Sequence, residues 1–300
     1  MTSGAPVVPR VHVAAASGAM PHRFGLFSAA TILENADPHE LGGIEYEAVT
    51  STRVDGWPAP GQPGAPPSGV KTPYPTSSVV VGTPFAVFAA VDDLLGHDEP
   101  MVRAQLRQRF LCGEQAAVER IVRTGEFGNW PHLASASVLV PDAPGVDLCD
   151  AVGLLEQWLA ETLGGTGVLH APRTIAPRLA QALCMVVSGP TAQTVLGSTW
   201  ALGTGFTGGP PNSEGTDHEV DDGSLWLYAT GPVTIRRSAL IEPATWTTGA
   251  VDRATNRALL VEERIYVVDW PTTVAAVRVS APSAGMRPGW APASMSRSSA

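Results

Sequence analysis

The residues best placed to do chemistry are three charged side chains inside an apolar run near the C-terminal end of the chain, Glu262, Glu263 and Arg264 in LLVEERIYVV. A strand of this composition alternates its side chains. Glu262 and Arg264 therefore share one face, Glu263 takes the other, and one carboxylate faces a more buried side than a charge tolerates. Structurally this is an ion pair in a sheet. Chemically it is a carboxylate whose pKa burial would raise, available as a proton acceptor. The ion pair is the simpler reading.

The other candidates carry less. GTGFTGG, Gly203 to Gly209, looks like a phosphate cradle but lacks the closing Gly-Lys-Ser/Thr, and two prolines follow it where a helix should begin, so it reads as a loop. Asp217, Glu219, Asp221 and Asp222 could gather a divalent cation, yet they lack the order of an EF-hand loop and read as a solvated segment. His12, His22, His39, His97, His132, His170 and His218 are scattered, with no HExxH pair and no GxSxG elbow, so a hydrolase triad would have to be assembled from distant segments. Cys112, Cys149 and Cys184 are odd in number, widely spaced and set in apolar helical stretches. They read as reduced core residues in preference to metal ligands or disulfide partners. No cofactor is expected.

The chain has 300 residues, 44% of them hydrophobic, enough for one large core or two medium ones. Only 16% are charged, while 31 glycines and 27 prolines call for long turns, and a weakly charged surface favours permanent association. A net charge of −9 and the absence of any Lys/Arg cluster argue against a surface built to neutralise nucleic-acid phosphates; Lys71 is the only lysine beside eighteen arginines. No apolar run approaches the ~18 residues needed to span a membrane, and the N-terminal stretch lacks the order of a secretory signal.

The element that must position everything else is HDEPMVRAQLRQRFLCGEQAAVERIVRTGEF, His97 to Phe127. Asp98 can cap its first turn, Pro100 is tolerated there, and Gly125 is placed to end it. Val102, Leu106, Phe110, Val118, Ile121 and Val122 form one apolar stripe; Arg103, Arg107, Arg109, Glu114, Glu119, Arg120 and Arg123 occupy the remainder. At 1.5 Å per residue such a helix extends roughly 40 Å, the length of a brace.

Before it, residues 1 to 43 read as an extended arm with Phe24, Leu26, Phe27, Ile32 and Leu33 as anchors, able to dock on the same body or on a neighbouring chain. Gly43–Val54 and Ser77–Val91 read as two strands of a hairpin with a long irregular tip rich in proline and glycine. After it come a short strand over Ala136–Val140, a helix over Asp147–Leu163 stopped by Gly164, a buried strand at Val168–His170 and a helix over Pro172–Val187. Strands are expected at Thr194–Leu202, Ser224–Arg236, Arg257–Trp270 and Thr273–Ser280, followed by a disordered tail.

A long hairpin, DEPMVRAQLRQRF opening a spine helix, an α/β middle section and a final EERIYVVDWPTTVAAVRV together resemble the major capsid protein of tailed double-stranded DNA phages, of the Hong Kong 97 type. Asp98, Pro100 and Gly125 follow the family's pattern for the helix, and Glu262, Glu263, Arg264 and Pro271 follow its pattern for the last strands. The similarity runs from about Gly43 to Ser280, is firm at both ends, and rests on element order in the middle. It implies an α+β fold divided into an N-terminal arm (1–43), an extended hairpin loop (44–95), a peripheral domain with the spine helix (96–140), an axial domain (141–240), peripheral C-terminal strands (241–281) and a tail (282–300).

The resemblance further implies a non-enzyme that assembles with itself as hexamers and pentamers into an icosahedral head enclosing double-stranded DNA without sequence specificity. The location would be the virion capsid, assembled in the host bacterial cytoplasm with no membrane involved. Scaffolding, portal and decoration proteins are the implied partners. Lys71, Glu262, Glu263 and Arg264 would make inter-subunit contacts. Some family members join subunits by an isopeptide bond, for which Lys71, Asn256 and Glu262 would be nucleophile, acceptor and proton shuttle, although Asn256 stands one residue nearer the glutamate than the family pattern has it. An encapsulin-like nanocompartment shell and another virion structural protein are the alternatives.

Overall fold

The computed structural model describes residues 22–49, 54, 77–94, 99–141, 144–211, 224–242, 251–252 and 254–281. Its first described segment, expected as part of an arm, folds onto the chain's own body. A single helical turn, α1 (Leu26–Ala29), buries Leu26 completely, and β1 (Thr31–Glu34) pairs in parallel with a strand some two hundred residues later in sequence. Of the anchors expected of an arm, Phe24, Leu26, Phe27 and Ile32 pack within the subunit, while Leu33 is exposed.

β2 (Ile44–Val49) and β3 (Ser77–Gly82) form the expected antiparallel hairpin; its tip, including Lys71, lies outside the described residues. The second strand was expected to run unbroken to Val91. It stops at Thr83, and β4 (Pro84–Leu94) leaves the hairpin for another sheet, because the proline at position 84 has no amide to continue the ladder. The long helix comes next as α2 (Glu99–Thr124), ended by Gly125 in the left-handed region at φ 72°. Its proposed cap, Asp98, is outside the described residues. All six residues of the expected apolar stripe are buried.

Beyond α2 come β5 (Ser137–Val138) and α3 (Leu148–Leu163), which Asp147 caps by accepting the Cys149 amide at 2.8 Å and Gly164 ends at φ 65°. Then come β6 (Val168–Pro172) and α4 (Ala176–Gln181). The helix expected over Pro172–Val187 is far shorter, since Leu183 turns left-handed at φ 57° and the chain enters a hairpin of β7 (Val186–Ser188) and β8 (Thr191–Gln193). The strand expected over Thr194–Leu202 is likewise divided by a turn closed from the Thr194 amide to the Ser198 carbonyl at 2.8 Å, leaving β9 (Thr199–Gly203). The remaining strands are β10 (Leu225–Thr230), β11 (Thr234–Arg237), β12 (Val251–Asp252), β13 (Arg257–Asp269) and β14 (Ala275–Val279).

Besides the hairpin, two sheets result. The first holds β1, β11, β13 and β12, with β4 paired to β13 from Arg257 to Val267; the second has the order β5-β14-β10-β6-β9-β8-β7. The strand expected over Ser224–Arg236 is split between them, and so are β13 and β14. Both crossings fall at prolines, Pro232 and Pro271, and the two meet closely: a Cβ on Gly231, next to the first, would stand 3.0 Å from the Pro271 ring. The peripheral segment expected over 241–281 is therefore divided between two sheets.

The apolar surfaces explain the stacking. Leu155 and Leu159 of α3 are fully buried with Leu148, Ala151 and Val152 against Leu169, Trp200, Leu227 and Val277, one face of the second sheet. Each such leucine contributes roughly 1.5–3 kcal/mol by leaving water. The alternate residues Val168, Ala201, Tyr228 and Ala276 face the other way, into a core shared with Phe110, Val118, Ile121 and Val122 of α2 and with Phe85, Tyr266 and Val268 of the first sheet. Helix α2 is thus the common packing partner of both sheets.

Candidate functional site

Among the described residues the most concentrated chemistry is a frame of charged side chains along the inner side of α2. Phe110, Glu114 and Val118 succeed one another at intervals of four, so Glu114 sits in phase with the apolar stripe and is only 5% exposed. Its carboxylate accepts from Arg264 Nη1 of β13 at 2.5 Å, from Arg237 Nη1 of β11 at 3.2 Å and from the Tyr266 hydroxyl. Burial, reinforced by the Glu114 charge, pushes the Tyr266 phenol far above its ordinary range, so it stays a neutral donor. Arg237 continues the frame to β1, where Nε donates to Glu34 Oε2 at 2.9 Å, and it lies 5.3 Å over the Phe27 ring. The hydrogen bond from Arg237 holds the Glu34 carboxyl below its usual range. One carboxylate on α2 therefore fastens helix, strands and N-terminal segment together.

A second node lies one turn on. Glu119 is fully buried; Oε1 accepts the Leu26 amide at 3.0 Å and Oε2 the Gly205 amide at 3.0 Å. Gly203 and Gly205 make this approach possible, because a Cβ on the first would stand 2.4 Å from the Glu119 carboxylate and one on the second 2.3 Å from the Ala116 carbonyl. Arg123, also fully buried, donates to the Gly209 and Pro210 carbonyls at 2.8 and 2.7 Å and lies 5.0 Å over the Tyr228 ring. The glycine-rich segment is thus a loop, as expected, and it clasps α2.

A third node pins the hairpin. Tyr46 of β2 donates to Asp269 Oδ1 at 2.9 Å, and Arg236 pairs with the other oxygen of this 2%-exposed carboxylate. Burial raises both the Asp269 carboxyl and the Tyr46 phenol above their ordinary ranges. The hairpin root is held to the end of β13 by a buried charged group.

In the EER triplet of β13, Glu262 is 2% exposed on the face toward α2, and burial raises its carboxyl above the ordinary range against the pull of Arg107 and Arg103. Arg264 shares that face, as alternation requires, but its partner is Glu114 of the same chain and not either neighbouring glutamate. Glu263, half-buried on the opposite face, exchanges both backbone hydrogen bonds with Ile241, at 2.9 and 3.2 Å. Asn256 is exposed in the turn before β13 at φ 54°, about 20 Å along the strand from Glu262 at 3.3 Å per residue. Glu262 and Arg264 are therefore turned to their own subunit, while Asn256 faces solvent. The acidic run 217–222 lies outside the described residues. Among the described residues no three His, Cys, Asp or Glu side chains come together as a metal site would require, and no helix is long and apolar enough to cross a membrane.

Two expectations need correction. Glu114, Glu119 and Arg123 fall outside the expected apolar stripe of α2, yet all three are buried. Their signal was present: Glu114 is in phase with Phe110 and Val118, and Glu119 and Arg123 stand four apart beside it. Cys149 is exposed at the second residue of α3 instead of buried in a core, and Cys184 lies beyond the end of α4 with its sulfur 3.4 Å from that of Cys149.

No family model matches the sequence, and no curated protein does. The fold, by contrast, has clear counterparts among solved structures. A chain from the capsid of an empty GTA particle superposes with TM-score 0.55 and 11% identity, over 92% of this chain and 96% of the other. A chain from Microbacterium phage Oxtober96 gives TM-score 0.52 at 11% identity over 92% and 97%. One from Mycobacterium phage Cain gives 0.51 at 12% over 92% and 96%. The chain has the Hong Kong 97-type capsid fold, over nearly its whole length.

Proposed function

We propose that this chain is a major capsid protein that assembles with itself into the icosahedral head shell of a tailed phage. The observation that carries the reading is the match of 96% of a capsid chain to 92% of this one. The internal frame suits the role. A shell subunit must keep its hairpin and arms at fixed angles, and buried charged nodes fix orientation more sharply than apolar contact does. In capsid terms the first sheet with α2 is the peripheral domain, the second sheet with α3 the axial domain, and β2–β3 the root of the extended hairpin. Self-association as hexamers and pentamers, scaffolding and portal partners, packaged double-stranded DNA and assembly in the host cytoplasm belong to the same proposal.

Negative-stain electron microscopy of the purified protein and of material from infected cells tests it. Closed shells of phage-head size are expected. Small uniform particles packed with protein would favour a nanocompartment, rings or tubes another virion component, and dispersed small oligomers from every source would overturn the proposal. In this reading Lys71 of the hairpin tip contacts a neighbouring subunit, and a salt bridge is favoured over covalent joining to Asn256. Denaturing gels of particles decide between them: a clean band at 31.2 kDa is expected, and a ladder would establish the covalent bond.

A further inference from the structure

We propose that Cys149 and Cys184 are a redox-active pair that closes into an intramolecular disulfide, fastening the start of α3 to the edge hairpin of the second sheet. Their sulfurs stand 3.4 Å apart and converge on one backbone oxygen, the Ala182 carbonyl, at 3.9 Å from Cys149 and 3.5 Å from Cys184. A disulfide requires about 2.05 Å between sulfurs, so an approach of roughly 1.4 Å completes the bond. Both backbones are already held. The Cys149 amide donates to the Asp147 cap, the Cys184 amide donates to the Leu179 carbonyl at 2.9 Å, and the Cys184 carbonyl accepts from Trp200 Nε1 at 3.1 Å. With no third ligand among the described residues, two thiols at this spacing suit a disulfide better than a metal ion.

The two sulfurs are unequal. Cys149 is exposed at the first turn of a helix, whereas burial and the neighbouring sulfur push the Cys184 thiol up to about 11. With a small-molecule disulfide such as glutathione disulfide as oxidant, the Cys149 thiolate attacks one glutathione sulfur and expels the first glutathione thiolate, which takes up a proton. Cys184 then loses its proton, attacks the Cys149 sulfur and expels the second glutathione. Two protein thiols are oxidised and one glutathione disulfide is reduced to two thiols.

The bond would act on the neighbouring sheet edge. Cys184 leads directly into β7, the edge strand among the described residues; Val186 and Val187 of that strand and Leu183 just before it are all more than half exposed. An unpaired apolar edge is a surface for another chain, and the disulfide would fix its orientation against α3.

The test uses the full chain, treated with glutathione disulfide, acid-quenched, alkylated and mapped by mass spectrometry without reduction. A linked peptide pair containing Cys149 and Cys184, two hydrogens lighter than the thiols, reversed by dithiothreitol and equally abundant in C112S, is expected. A glutathione adduct that persists on Cys149, cross-links between copies, or a yield that depends on Cys112 would overturn the proposal. In C149S any glutathione on Cys184 should persist, its resolving partner gone. The oxidised chain should melt higher than its reduced form by on the order of 5–10 °C; equal melting would overturn the fastening. These readouts need no assembly, so their failure leaves the capsid proposal standing, and the reverse.

Discussion

Glu114 carries more of this fold than its place in the helix would suggest. Glu114→Ala leaves Arg264 and Arg237, whose side chains are 12% and 15% exposed, and the Tyr266 hydroxyl without their common acceptor. Breaking a buried charged node in this way costs about 3–5 kcal/mol, so the urea midpoint of E114A should fall steeply. Arg257→Ala removes a pair with Asp92 in which both side chains are 49% exposed, and should change stability by under about 1 kcal/mol. Similar losses from the two variants would mean that the Glu114 frame is ornamental. His170 answers to pH. It is fully buried, its Nε2 donates to Thr230 Oγ1 at 2.8 Å because that hydroxyl donates in turn to the Gly231 carbonyl, and burial lowers its pKa to about 3. A base depressed in the folded state is protonated first in the unfolded chain. Its stabilising contribution is therefore complete above about pH 6.5 and lost as pH falls toward 3. Unfolding measured at about pH 7, 5.5 and 4.5 should show H170Q gaining on the parent by roughly 1 kcal/mol per pH unit below about 6.5. A constant difference would refute it.

At the scale of elements, the contact between the glycine loop and α2 is a matter of backbone approach. Gly205→Ala puts a methyl group against the Ala116 carbonyl and the Arg120 amide, neither of which can yield, and should cost about 1–3 kcal/mol. Gly153→Ala, on the exposed side of α3 with nothing within 4 Å, should gain about 1 kcal/mol through helix propensity alone. Thermal melts of the two variants must move in opposite directions. The N-terminal segment is likewise tied to α2. An arm with little to bind in its own subunit could be removed through residue 30 without loss of folding. Leu26 in the core, Phe27 stacked on Tyr266 and the Leu26 amide on Glu119 instead predict that a chain beginning at residue 35 loses its cooperative unfolding transition. An unchanged transition would mean that the segment contributes nothing to its own subunit and is left to dock on a neighbouring chain.

For the whole molecule, the angle between parts is decisive. Tyr46 supplies the hydrogen bond by which the hairpin root meets the buried Asp269, and Tyr46→Phe keeps the ring while deleting that bond. Asp269 retains Arg236, so the cost in stability should be modest, about 1–2 kcal/mol. If the chain is a shell subunit, the yield of closed particles should fall more than stability does, because a pivoting hairpin meets its neighbour at a range of angles. Particle counts by electron microscopy beside urea midpoints decide this; a yield that falls only in step with stability would show that the hairpin angle is set elsewhere.

The sequence by itself determined the parts whose causes lie within a few residues. The stripe from Val102 to Val122 and the glycine at 125 made α2, Asp147 and Gly164 bounded α3, and the alternation in LLVEERIYVV put Glu262 and Arg264 on one face. The hairpin and the order of elements were legible for the same reason, and with them the resemblance to a capsid fold. Tertiary structure alone decided where Arg264 would find its partner, that Glu119 would accept the Leu26 and Gly205 amides, that the strands after Thr230 and Asp269 would change sheets, and that Cys149 and Cys184 would meet. Each of those outcomes depends on groups dozens to hundreds of residues apart, and the free energy of burying a charge or breaking a strand is set by what the rest of the chain brings against it.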